Sequence, residues 1–453
     1  MIRLPEICDT NAHTNMKRAR FGIFLFLFCF AVALLAQSRR SYGPDRIWWE
    51  AGRGIIFPLE EDYDDTDGQV SILNSSGAIN PSGHAFFEAL GTNQRACITC
   101  HQPSNAMSLA AATLRQRWTE TQGHDPVFAA VDGSNCPDLP QSAVSSHSLL
   151  LSRGLIRIFL PWPRPNATPA DFKLEIVRDP TGCNNSPIYG LGSAQPTISV
   201  YRRPRMVANF KYAARPTLMA DGREPSLASQ AVTAALTHEE SQVHPTSDQL
   251  RQIVDFEMQV FAAQSADDRA GLLTEKDGPA ALGHQNLAAG LAPRFSGEPA
   301  SMPSFDPWNK PGAVDVQWAF RASVARGNEL FATRCAGCHA PQSSATPKAM
   351  DIGTTNLPSA LESADLPLFR ITCHSDGRII YTQDPGRALI TGKCSDVGAI
   401  VMQQLRGLSA RAPYFSNGSA ATLRDVVEFY DRRYSIGYSE KQKQDLVNFL
   451  RSL

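Results

Sequence analysis

Two five-residue stretches, Cys97-Ile98-Thr99-Cys100-His101 and Cys335-Ala336-Gly337-Cys338-His339, hold residue types and a spacing suited to one piece of chemistry. Two thiols three positions apart, at the start of a helix, can add to the two vinyl groups of a porphyrin, and the next residue then places an imidazole under the iron. A zinc-binding or redox C-x-x-C that happens to precede His is the competing reading of either stretch alone. The chain has only 10 cysteines and 10 histidines in 453 residues, so two chance copies of the full pattern would be rare. The expectation is two covalently bound haem c groups, held by Cys97, Cys100, Cys335 and Cys338, with His101 and His339 as proximal ligands.

Elements on both sides must position these motifs. From Ser82 the pattern reads as helix through His84 to Leu90 and stops at Gly91; it resumes after the first motif from Ala111 to Trp118. Residues 121–200 are rich in Pro, Gly, Asn and Ser, with β-like runs such as Leu155 to Leu160, and read as an insertion. A capped amphipathic helix begins near Ser247, with Leu250, Ile253, Val254 and Phe261 near one face. After a loop-rich linker over about 265–315, a helix from Ala319 to Phe331 leads into the second motif. Two capped helices close the chain, announced by Thr422-x-x-Asp425 and Ser439-x-x-Gln442. The fold class expected is mostly α: two cytochrome c-type haem domains, 81–305 and 306–453, with a loop-rich, partly β insertion in the first. Residues 37–80 form an acidic extension whose run Glu60 to Asp67 reads as solvated, because an EF-hand loop would need an acid where Tyr63 stands.

With 43 basic and 44 acidic residues the formal net charge is −1, which provides no global field for nucleic acid or an anionic membrane. Phe21 to Ala36 is an uninterrupted apolar run after Lys17, Arg18 and Arg20, the pattern of a secretory signal over residues 1–36. The run is shorter than the ~20 residues of a comfortable membrane span, so an uncleaved anchor is the weaker reading. Export implies the periplasm and an oxidising compartment. Cys8 and Cys29 then leave with the signal, four thiols take haem, and Cys136, Cys183, Cys373 and Cys394 remain. Pairing in sequence order, Cys136 with Cys183 and Cys373 with Cys394, is the simplest of three connectivities, and buried free thiols are the alternative.

Two haem motifs with Leu218-Met219-Ala220-Asp221-Gly222-Arg223-Glu224 between them, then Leu405-Arg406-Gly407-Leu408 and Arg411-Ala412-Pro413-Tyr414-Phe415-Ser416-Asn417-Gly418-Ser419, resemble the bacterial di-haem cytochrome c peroxidases and their MauG-type relatives. The resemblance covers most of the chain from about residue 80. It implies an N-terminal haem that meets hydrogen peroxide and a C-terminal haem that relays electrons from a small cytochrome c or cupredoxin. Carried over from the D-G-R turn, the distal glutamine falls on Gln230 and the acid–base glutamate on Glu240. Met402, just before Leu405, is the expected sixth ligand of the second haem, with Tyr414 as the alternative. His238 reads as a solvent-facing residue, a distal base or a ligand. Family members also bind Ca2+ between domains, with Asn209 as a candidate ligand, and a homodimer is open. Ala220 stands where the family places a Trp between the haems, and Ser416 where many relatives have His. Two readings of other kinds stay beside the peroxidase: a di-haem electron-transfer cytochrome, and MauG-type oxidation of a partner protein.

Overall fold

A computed structural model describes residues 48–165, 168–212, 217–291, 305–309, 315–339, 349–360 and 362–453. The apolar run at 21–36 lies outside them; among the described residues no helix is long and apolar enough to cross a membrane.

The helices expected around the motifs form where caps and periodicity coincide. Helix α1 (Cys97–Cys100) carries the first motif and is followed by α2 (Ala111–Thr121). The D-G-R turn leads into α3 (Leu227–His238), capped by Ser226, and Thr246 caps α4 (Ser247–Gln259). Helix α5 (Val316–Arg334) runs directly into α6 (Ala336–His339) with the second motif. The tail forms α7 (Leu423–Tyr434) and α8 (Glu440–Arg451), each closed by the reciprocal side-chain bonds that Thr422-x-x-Asp425 and Ser439-x-x-Gln442 predict. One expected helix is absent: residues 85–87 are a hydrogen-bonded turn. Phe86 and Phe87 are both buried, which two adjacent positions on a helix do poorly. Phe256 stands 4.4 and 5.1 Å from their rings and closes a small aromatic core beside α1.

Four antiparallel sheets add more strand than the mostly α expectation provides. The acidic run is a hairpin of β1 (Glu60–Asp64) and β2 (Gly68–Asn74), and β2 pairs with β6 (Val260–Asp267), which pairs with β7 (Gly271–Leu272). Its carboxylates are therefore structural as well as solvated: Arg451 of α8 lies 3.1 Å from Asp67 and 2.7 Å from Asp267. In the insertion, β3 (Ile156–Pro161) pairs with β5 (Thr197–Arg202), confirming the β-like run there. Strand β4 (Phe172–Arg178) pairs instead with β9 (Leu368–Cys373), which continues to β10 (Ile379–Thr382). The last sheet joins β8 (Ala349–Met350) to β11 (Ile400–Val401). Strand pairing thus crosses the boundary expected at 305/306, and Trp48–Leu453 cluster as one unit. Both disulfides form in sequence order, Cys136 to Cys183 and Cys373 to Cys394. Gly407 of the Leu405–Leu408 segment sits at φ +57° with a Cβ position 2.5 Å from Ala106 Cβ, so that segment can approach the first motif's loop only as glycine.

Candidate active site

The first motif holds its histidine in a form that could ligate a metal. Ile98 is fully buried and anchors α1, while the chain after it turns back through left-handed Ala106 and Met107. That reversal brings the Met107 carbonyl 3.2 Å from His101 Nδ1, so the ring N–H is used there and Nε2 keeps its lone pair. Burial pushes the His101 imidazole down to about 4, which keeps it in the neutral, ligating form. Cys97, Cys100 and His101 line a cavity together with Gln230 and His238 of α3 and with Glu239 just after it. Two thiols and a neutral imidazole held by a carbonyl, all lining one cavity, fit a haem c.

Three ionisable groups in this wall were not singled out by the sequence. Glu239 is buried, accepts the Leu90 N–H at 3.0 Å and lies 3.5 Å from Cys97 Sγ; burial raises its carboxyl to about 7. Glu257 of α4 is buried without a partner for Oε2, and burial alone raises it to about 8. Asp132, contributed by the insertion, is 1% exposed; its Oδ2 lies 2.5 Å from His238 Nδ1, and its other oxygen pairs with Arg95. Burial favours a neutral Asp132, but Arg95 and His238 outweigh it and hold the carboxyl below its ordinary range. His238 is therefore an oriented imidazole at the cavity and not merely a solvent-facing one.

Of the residues expected from the sequence, Cys97, Cys100, His101 and Gln230 meet in this cavity. Glu240 is not among the lining residues: the chain leaves α3 through a left-handed Glu240 at φ 54°, and its Oε2 accepts from Asn93 at 3.1 Å. The carboxylate in the wall is the preceding one. Ala220 also lines the cavity, and its carbonyl accepts the Val401 N–H at 2.8 Å. Ser416 is buried, and its carbonyl accepts from the Arg203 N–H.

At the second motif, burial pushes His339 down to about 4, and its Nδ1 has no hydrogen-bond partner among the described residues. Cys335 and Tyr414 pack against one apolar cluster with Leu408, Leu423 and Phe331. Met402 is not part of that cluster; it is half-buried, and its carbonyl accepts from Arg205 at 2.8 Å. Asn209 does not present itself as a calcium ligand. Its Oδ1 accepts from the Ala262 N–H, and its Nδ2 donates to the Ala262 carbonyl and Gln404 Oε1. Among the described residues no group of three or more His, Cys, Asp or Glu could hold a metal ion.

Glu257 makes stability pH-dependent. With a folded pKa of about 8 against an ordinary 4.5, the folded chain keeps a proton that the unfolded chain releases, so stability falls as pH rises through that window. The slope is at most ~1.4 kcal/mol per pH unit. Glu257→Gln should flatten it in haem-loaded protein, read by denaturant unfolding at pH 5, 7 and 9; equal slopes for both proteins would show that Glu257 ionises normally.

No protein-family model matches the chain. It is 28% identical over 171 residues to cytochrome-c peroxidase IdrP1 of Denitromonas iodatirespirans, covering 33% of this chain and 44% of the relative. It is 31% identical over 157 residues to the protein of the same name from Pseudomonas sp. (strain SCT), covering 30% and 41%. The chain thus spans less than half the length of the curated relatives it matches. A solved MauG-like protein associated with microbial copper homeostasis overlaps 56% of this chain and 74% of its own at 15% identity, with a TM-score of 0.33, too low to bear on the fold. Taken with the paired motifs, these partial matches make the chain similar to the di-haem cytochrome c peroxidases over about a third of its length.

Proposed function

We propose that the chain is a periplasmic di-haem c-type oxidoreductase that reduces hydrogen peroxide at the N-terminal haem, with electrons relayed by the C-terminal haem from a small cytochrome c or cupredoxin. The observation that carries this reading is one cavity that joins Cys97, Cys100 and His101 to Gln230, His238 and Glu239. Haem, when bound, supplies the ferric centre and the electron store. The chain supplies the proton handling that O–O cleavage needs. Gln230 orients the peroxide through its carboxamide. A carboxylate at the end of α3, Glu239 in the wall or its neighbour Glu240, takes a proton from one oxygen and returns it to the departing one. Burial puts Glu239 near 7, where a carboxyl gives and takes a proton with little driving-force penalty at neutral pH. His238, fixed by Asp132, is a second site for that proton. Each turnover consumes two electrons and two protons and yields two waters.

The second reading, an electron-transfer cytochrome with both irons six-coordinate, has Ala220 in its favour, since no aromatic side chain fills the family's relay position there. Mass and spectra separate the readings. The mature protein should exceed its polypeptide mass by two haems, and EPR should show one high-spin and one low-spin centre. A stable single-haem species from fully competent cells would remove the di-haem reading. Two centres that stay low-spin on half-reduction would make the protein a carrier.

A further inference from the structure

We propose that Arg203 and Arg205, backed by Arg411, form a carboxylate-binding end of the first cavity, and that the propionates of the haem are the anions they hold. This rests on haem attachment at the first motif and not on the peroxide chemistry.

Two buried guanidiniums are neutralised by carboxylates: Arg95 pairs with Asp132, and Arg202 lies 2.6 Å from both Asp221 and Asp384. Arg157, which does not line the cavity, is held by the Val131 carbonyl and the Ser199 hydroxyl. Arg203, Arg205 and Arg411 have only backbone carbonyls. Arg203 donates to the carbonyls of Arg153, Leu109 and Arg411. Arg205 donates to those of Val401 and Met402 at 2.7 and 2.8 Å. Arg411 donates to those of Arg406 and Gln404. Among the described residues no carboxylate bonds to any of the three. Carbonyl dipoles do not cancel charge, and an uncompensated buried cation is strongly disfavoured. A guanidinium has five N–H donors, and Arg203 uses three and Arg205 two, so each keeps donors for a carboxylate fork.

Position selects the anion. Arg203 and Arg205 line the same cavity as the motif thiols. Glu239 lies 3.5 Å from Cys97 Sγ, whereas the guanidiniums of Arg203 and Arg205 reach the carbonyls of Leu109 and Arg411 and of Val401 and Met402. The cavity therefore carries a carboxyl beside one thiol and two guanidiniums that no carboxylate pairs with among the described residues. A haem c has its thioether edge on one side of the porphyrin and its two propionates on the other.

The test uses the fully matured protein, with mass and haem stain establishing that both haems are attached. In wild type, the resonance Raman propionate bending bands of the first haem should have the frequency of hydrogen-bonded carboxylates. Arg203→Gln and Arg205→Gln should each move those bands and lower the first haem's potential, because a lost cation favours the ferric state. The expected change is about tenfold in the reduction equilibrium, or ~59 mV for one electron. Arg205→Lys, which keeps the charge but not the fork, should preserve most of the potential and still shift the bands. Propionate bands at the solvent-exposed frequency in wild type would overturn the assignment, and this readout stands even if a variant fails to mature. Saturable binding of acetate or benzoate to the wild-type holoprotein, abolished by Arg205→Gln, would also overturn it, because the site would then be open to a dissolved anion.

Discussion

Glu239→Gln should lower peroxide turnover by ~10²–10⁴-fold while leaving both haem spectra close to wild type. General acid–base assistance contributes that much, and the substitution keeps size and hydrogen bonding while removing the proton acceptor. Of the two adjacent glutamates at the end of α3, Glu239 is the one in the cavity wall, 3% exposed and raised to about 7 by burial. Glu240, to which the family spacing points, is turned onto Asn93. Glu240→Gln should therefore change turnover by less than about tenfold, within the range of a lost bracing contact. Stopped-flow mixing of each variant with H2O2 decides the matter. The reverse ranking would restore Glu240 as the acid–base group and make Glu239 a structural carboxyl. Full activity in both variants would leave proton transfer to His238 and Asp132.

Met402→His should keep the second haem six-coordinate and lower its potential by on the order of 100 mV or more, within the roughly 0.8 V that axial ligands span. Imidazole donates more strongly to ferric iron than a thioether does, so the exchange stabilises the oxidised state. The alternative is a measurable one, because Tyr414 packs with Cys335 against the cluster that Met402 does not join. Its hydroxyl donates to the Leu408 carbonyl at 2.9 Å, and burial raises it above the ordinary phenol range, so coordination would require that proton to leave. A potential unchanged in Met402→His but altered in Tyr414→Phe would make Tyr414 the ligand.

What the sequence revealed and what it hid follow from the range of each interaction. Both motifs are local patterns, as are the caps at Thr246, Thr422 and Ser439, and each stands where its spacing put it. Strand partners are not local. Nothing in Gly68–Asn74 names Val260–Asp267 as its neighbour, although the turn Asp376-Gly377 between Leu368–Cys373 and Ile379–Thr382 was a readable hairpin signal. The acidic run looked solvated because its partner, Arg451, is 384 residues from Asp67. In the site, family spacing led to the end of α3, but one left-handed residue decides which of two adjacent glutamates faces the cavity. Asp132 gave no signal at all, since its role comes from contacts with Arg95 and His238 across loops.

The pairing of β4 with β9 bears on how such a chain is made. Phe172 sits opposite Cys373 and Glu175 opposite Arg370, so a strand of the first half has its hydrogen-bonding neighbour only after the second motif has been delivered. Until then β4 presents an unpaired edge, the kind of surface that invites association between unfinished chains. Contacts of such long sequence separation also close slowly, because the intervening loop must be ordered first. Cys100 packs against the same cluster as Phe172, Phe369 and Ile371, so the surroundings of the first motif are completed only by chain that follows the second.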